Sequence, residues 1–159
     1  MINKHSKIFI TGHKGLVGSS VYSLLKKKGY RNIIIASRKE LNLLDTKKVE
    51  QFFKKKKIEI VVNCAAKVGG ILANSRNPVE FFYENVQMQN NLLMAANNHR
   101  VKRFIFLGSS CIYPKVTKTP IKENQLLTGK LEKTNEAYAI AKIAGLKLCE
   151  YFRNIKKRN

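Results

Sequence analysis

With 159 residues, 44% of them hydrophobic, the chain has room for one domain with a sizeable core of its own. No run approaches the roughly 20 apolar residues of a membrane span, and Met1 to Lys7 leads into a strand-like run with no signal-peptide pattern, which predicts a cytoplasmic protein. The net charge of +21 reflects 24 Lys against 7 Arg, beside 15 Asn and 15 Ile; Lys, Asn and Ile are all read from AT-rich codons, so composition bias stands against a nucleic-acid surface, and no nucleic-acid partner is expected.

In chain order, Lys7-Ile8-Phe9-Ile10-Thr11 reads as a buried strand, followed by the tight loop Gly12 to Gly18. Val17, Val21, Leu24 and Leu25 then recur at helical spacing, and Gly29 is a C-terminal stop. Asn32 to Ala36, with Ile33-Ile34-Ile35, is a second strand. A helix starting near Asp45 or Thr46 puts Val49, Phe52 and Phe53 on one face and ends in Lys54 to Lys57. That run and Lys26 to Lys28 fall at helix ends, where cations suit the macrodipole, and no aromatic side chains interleave with them as stacking platforms. Glu59 to Asn63 is strand three. Asn77-Pro78 opens a long helix, Asn77 as its cap and Pro78 in its first turn, running to about His99. Arg103 to Leu107 is strand four, a loop extends from Gly108 to about Lys133, and a last helix starts near Thr134 or Asn135. Apolar runs alternating with helices predict an α/β fold: a Rossmann-like, doubly wound parallel sheet with helices on both faces.

Four features carry chemistry. Gly12, Gly15 and Gly18 form G-x-x-G-x-x-G between a strand and a helix: the first for the tight turn, the second for backbone approach to a pyrophosphate, the third for close helix–strand packing, with the anion on the helix N-terminus. A purely structural loop is the alternative. At the end of strand two an NAD site places an acid, but this chain has Ala36-Ser37-Arg38-Lys39; Arg38 offers a planar fork for a 2′-phosphate and Lys14 a second positive charge, which favours NADP (NADPH) over a bland surface arginine. Leu107-Gly108-Ser109-Ser110-Cys111 lies at the carboxyl end of strand four, the ligand-facing edge of a doubly wound sheet. There Ser109 is a candidate hydrogen bond to a substrate carbonyl and Cys111 a candidate acid or base, while a capped turn with a small buried thiol fits the same spacing. Finally, Tyr138 and Lys142 stand just over one helical turn apart, so the ammonium is expected to lower the tyrosine pKa toward neutrality and fit it for proton transfer to an oxygen. Cys64, Cys111 and Cys149 lack metal-ligand spacing and give no disulfide framework.

Taken together these residues resemble the extended short-chain dehydrogenase/reductase family. The segments that carry the resemblance are Gly12 to Gly18, Glu40 to Asp45, Ala65 to Ile71, Gly108 to Pro114, Thr134-Asn135-Glu136 and Tyr138 to Gly145, so it runs over essentially the whole chain. Within the family the chain is similar to the epimerase/reductases of GDP-4-keto-6-deoxy-D-mannose, because general sugar-nucleotide epimerases and dehydratases usually lack a residue like Cys111. The resemblance implies an NADPH-dependent enzyme of nucleotide-sugar biosynthesis. Cys111 would exchange the protons on C3 and C5, Ser109 would hold the keto oxygen, and Tyr138 would protonate O4 as hydride reaches C4. Lys142 would support Tyr138 and bind the nicotinamide ribose. Gly12, His13, Lys14, Gly15, Leu16, Val17 and Gly18 would match the pyrophosphate loop, and Leu107, Gly108, Ser109 and Ser110 the wall beside the nicotinamide.

Two departures accompany it. Lys14 stands where the family often has Arg, keeping the charge and losing the fork. The family's enzymes are also about twice as long, so residues 1–159 are expected to form an incomplete NAD(P)-binding domain, truncated after the Tyr/Lys helix. The resemblance implies that the next strand, a catalytic His (matched by none of His5, His13 and His99) and a C-terminal substrate domain lie elsewhere. In a sheet of order 3-2-1-4-5, strand four would then be an open apolar edge, so self-association or completion by a second polypeptide is expected, with a homodimer in the full-length family. The chain alone is expected to be inactive, since the partner acid and the substrate pocket lie elsewhere; a non-catalytic dinucleotide-binding remnant, another NAD(P)-dependent sugar-nucleotide epimerase or dehydratase, and a basic nucleic-acid-binding module are the competing readings.

Overall fold

The computed structural model describes residues 3–156. Four strands, β1 (Ile8–Thr11), β2 (Ile33–Ile35), β3 (Ile60–Asn63) and β4 (Arg103–Phe106), form one parallel sheet in the order β2-β1-β3-β4. The expected order differs: β3 lies beside β1, with Ile10 opposite Val62, rather than outside β2. The burial of the strands explains the placement. Every residue of β1 and β3 is buried, which the two central positions provide, whereas the short β2 is half-exposed and suits an edge.

Helix α1 (Leu16–Lys27) covers one face. Its inward stripe is Val21, Tyr22 and Leu25 against Ile8, Ile10, Ile60 and Val62. Val17 and Leu24, expected on that stripe, are about half exposed. Gly29, at φ +81°, follows the helix and returns its N–H to the Lys26 carbonyl, as a C-terminal stop should. The other face is covered by α2 (Thr46–Lys56) and α4 (Pro78–Asn98). Phe9 meets Phe53 edge-on with ring centroids 6.0 Å apart, and Val49, Val61 and Leu92 close around them. Fully burying each of these side chains is worth about 1.5–3 kcal/mol. Asp45 caps α2 by accepting from the Lys48 N–H at 3.0 Å.

A short helix, α3 (Ile71–Arg76), interrupts what the sequence presents as loop. It changes the role of Asn77. That residue stands at the start of α4 without capping it; its Nδ2 donates back to the Ala73 carbonyl at 3.0 Å and closes α3 instead. The last helix, α5 (Glu136–Lys156), lies along α4 and touches β4. Gly145 sets their spacing: a Cβ there would fall 2.5 Å from Phe106 Cζ and 2.6 Å from Gln89 Oε1. Buried Gln89 donates to the Ala141 carbonyl at 2.7 Å and ties the two helices together.

Among the described residues β4 pairs on one side only. Its other edge borders a groove of about 850 Å³ lined by Phe104, Phe106, Leu146, Cys149 and Phe152. Burial pushes the Cys149 thiol up to about 11. No described helix is long and apolar enough to cross a membrane.

Candidate active site

The carboxyl ends of β1, β3 and β4 open into a cleft of about 630 Å³. Its floor begins with a buried hydrogen-bond relay. Thr11 Oγ1 donates to Asn63 Oδ1 at 2.7 Å and accepts from the Ala65 N–H at 3.0 Å, which pulls the loop after β3 against the loop after β1. Gly12 lies where the two loops meet. At φ +63° it occupies left-handed backbone, and a Cβ would sit 2.8 Å from both Ala65 N and Cys64 O. The third glycine packs on this loop rather than on a strand: a Cβ on Gly18 would lie 2.2 Å from the Gly12 carbonyl oxygen.

The start of α1 carries no acidic residue and no side-chain cap, so its first N–H groups face the cleft as donors for an anion. Gly12, His13, Lys14, Gly15, Leu16, Val17 and Gly18 all line it, and the buried His13 Nδ1 is left without a partner. These features fit the diphosphate of a dinucleotide. Arg38 lines the same cleft at the end of β2 and is 77% exposed.

At the far end the cleft reaches Leu107, Gly108, Tyr138 and Lys142. Lys142 is buried, donates from Nζ to the Leu107 carbonyl at 2.9 Å, and lies 4.8 Å from the centre of the Phe106 ring. Burial lowers its pKa, opposed by the neighbouring Cys111 and Cys64 thiols. Cys111 Sγ donates to Ser109 Oγ at 3.2 Å. Ser109 starts the short turn Ser110–Ile112 without a side-chain bond to its backbone, so the capping alternative for this hydroxyl is not realised. Ser109 and Cys111 both influence the Tyr138 phenol, so these two, Tyr138 and Lys142 form one cluster at the end of β4. None of Ser109, Ser110 and Cys111 lines the cleft itself; Ser109 and Cys111 adjoin it beside the Tyr138 phenol, whereas Ser110 is exposed.

The tyrosine's acidity runs opposite to the sequence expectation. Burial raises the Tyr138 pKa above 10.0, the Cys111 thiol raises it further, and the Ser109 hydroxyl pulls it partly back. Lys142 does not reverse this, because its Nζ is 5.9 Å from the phenol ring centre and committed to the Leu107 carbonyl. Desolvation therefore outweighs the ammonium in this cleft.

Two further parts of the cleft carried no signal that sequence reasoning used. Cys64, one residue beyond β3, is raised in pKa by burial and lowered in part by Lys142; its place at a strand's carboxyl end was the available clue. The loop carrying Lys67 is clamped by buried Asn85 of α4, whose Oδ1 accepts from the Lys67 N–H at 2.8 Å and whose Nδ2 donates to the Lys67 carbonyl at 2.9 Å. Glu84, next in α4, lines the cleft and pairs with the Lys67 ammonium.

The NAD dependent epimerase/dehydratase family matches residues 8–158. The chain belongs to that family. Among relatives within this epimerase/dehydratase family, the GDP-L-fucose synthase of Escherichia coli is 49% identical over 146 residues, 92% of this chain and 46% of the relative. A putative GDP-L-fucose synthase 2 of Arabidopsis thaliana is 50% identical over 153 residues, 96% of this chain and 47% of the relative. In structure, a GDP-D-glycero-L-gluco-heptose synthase from Campylobacter jejuni, solved in the presence of NADPH, aligns with a TM-score of 0.97 at 36% identity over all of this chain and 46% of that one. The chain thus spans about half the length of the curated relatives it matches.

Proposed function

We propose that this chain is the cofactor-binding and partly catalytic half of an NADPH-dependent epimerase/reductase that converts GDP-4-keto-6-deoxy-D-mannose to GDP-L-fucose. The observation that carries the reading is that Tyr138 and Lys142 line one end of a cleft whose other end is the glycine loop, with Ser109 and Cys111 beside the phenol just outside that lining. The C-terminal substrate domain, with the acid that partners Cys111, is proposed to come from the other half of the protein or a second polypeptide. A homodimer and a cytoplasmic setting belong to the same proposal.

The roles follow from chemistry. The N–H groups at the start of α1 bind the diphosphate, and Arg38 with Lys14 meets the 2′-phosphate. When bound, the reduced nicotinamide supplies the hydride that C4 accepts. Ser109 donates to the keto oxygen and thereby acidifies the protons on C3 and C5. Cys111 takes the proton from one face of those carbons, or delivers it there, while the electron pair rests on the oxygen as an enolate, and the partner acid from the other half acts on the opposite face to complete the inversion. Tyr138 gives its phenolic proton to O4. Its raised pKa keeps it protonated at neutral pH, the state a donor needs. Lys142, fixed on the Leu107 carbonyl, holds a positive charge beside the phenol and a donor for a ribose hydroxyl.

The test is titration of the purified chain with NADPH and NADH, followed by nicotinamide fluorescence, which no Trp of this chain obscures. NADPH is expected to bind, and more tightly than NADH. A chain that melts cooperatively yet binds neither overturns the cofactor reading, and equal affinity removes the Arg38 and Lys14 argument.

A further inference from the structure

The end of β2 offers a cation and no acid, but the folded chain brings an acid to the same place from another element. Glu84 of α4 puts Oε2 3.9 Å from Arg38 Nη2 and Oε1 2.5 Å from Lys67 Nζ, and its side chain is 19% exposed. All three residues line the cleft. Glu40, the other carboxylate nearby, is engaged with the Ser37 N–H at 2.7 Å and lies outside the lining. Lys67 cannot swing away with its loop, because Asn85 holds both its N–H and its carbonyl. The carboxylate is therefore fixed between two cations contributed by two different loops.

A dinucleotide site that takes a ribose 2′-hydroxyl presents an acceptor carboxylate, and one that takes a 2′-phosphate presents a guanidinium. This cleft presents both, side by side. We infer that Glu84 tempers the chain's discrimination between NADPH and NADH, competing with the 2′-phosphate for Arg38 while offering the free 2′-hydroxyl an acceptor; the inference rests on the cofactor reading proposed above. The carboxylate acts through its charge on the cleft. Its pairs are with a guanidinium 77% exposed and an ammonium 32% exposed, both within reach of water, so neutralising it costs the fold little. Lys67 is the counterweight: by sharing Glu84 it leaves part of Arg38 available for the phosphate.

Two substitutions shift the balance in opposite directions. Glu84→Gln keeps the shape and removes the charge, and is expected to widen the NADPH-over-NADH affinity ratio by roughly three- to tenfold at low salt, with the gain shrinking as salt rises. Lys67→Met turns the whole carboxylate toward Arg38 and is expected to narrow the ratio. Both variants and the wild-type chain are titrated with NADPH and NADH by nicotinamide fluorescence, with thermal melts to verify folding. Opposite, salt-sensitive shifts support the inference. Wild-type binding with the same ratio in both folded variants, or shifts of the same sign, overturns it and leaves the cofactor reading standing. Absence of binding by the folded wild-type chain overturns the cofactor reading, and the inference falls with it.

Discussion

Replacing Gly145 by Ala sets two opposed effects against each other at one atom. Within a helix interior such as that of α5, Gly→Ala alone stabilises by about 0.5–1 kcal/mol. At this position the new methyl would stand 2.5 Å from Phe106 Cζ and 2.6 Å from Gln89 Oε1, where comfortable carbon contacts begin near ~3.5 Å. Relief requires Phe106, Gln89 or the α4–α5 spacing to move by about 1 Å, and overpacking of that kind costs about 1–3 kcal/mol. If Gln89 moves, its bond to the Ala141 carbonyl breaks, and a buried amide without its partner costs about 1–3 kcal/mol more. The packing side wins: the net loss is about 0–2.5 kcal/mol if the packing alone adjusts and about 1–5.5 kcal/mol if the Gln89 bond is lost as well. Urea unfolding followed by circular dichroism measures it, with the slope unchanged and the midpoint lowered. Gly70→Ala is the control without overpacking, since nothing lies within 4 Å of a Cβ there; Gly70 is the N-cap of α3, so only the cap preference of Gly over Ala is lost, at most about 1 kcal/mol. A Gly145→Ala chain more stable than the wild type would refute the close approach of α4 and α5.

Three other outcomes follow from particular groups. In the wild-type minus Tyr138→Phe difference, phenol absorbance should titrate above 10.0; because the folded chain then keeps a proton that the unfolded chain loses, stability should fall as pH rises past 10, with a shallower fall in the variant. Cys149, pushed up to about 11, and Cys64, also raised, should resist alkylation near ~pH 8 in the folded chain and react once it is unfolded in urea; mass spectrometry of the modified peptides reads the difference. The β4 edge, carrying the partly exposed Ile105, should make the chain associate with itself, and Ile105→Lys should weaken that association in sedimentation. A wild-type chain that sediments as a monomer at every concentration would remove the edge argument.

The elements were legible because their signals are local. Ile8 to Thr11 and Ile60 to Asn63 are apolar on both faces, and only a central strand buries both. Pro78 and the lysine run after Phe53 marked helix limits to within a residue or two. The order of the strands was less legible, since it depends on how α2 returns the chain to the sheet, and no residue in that connection states a direction. The short helix Ile71–Arg76 escaped for a related reason. Its six residues are mostly exposed, so they show no apolar stripe, and the Asn that ends it reads equally well as the beginning of α4.

At the site, position along the chain was readable and environment was not. Gly12 to Gly18, Arg38 and Tyr138 to Lys142 announce themselves by spacing, and all three segments line one cleft. Glu84 and Asn85 do not, because they sit on an ordinary helix and meet Lys67 only through the fold. The phenol shows the cost of that gap most clearly. From spacing, the lysine one turn away is the nearest charge and should favour phenolate. In the folded chain that charge is spent on the Leu107 carbonyl and held against Phe106, while apolar surroundings strip water from the phenol. Burial, a property of the whole fold, therefore sets the sign, and it keeps Tyr138 protonated at neutral pH, the state that the proposed reduction asks of it.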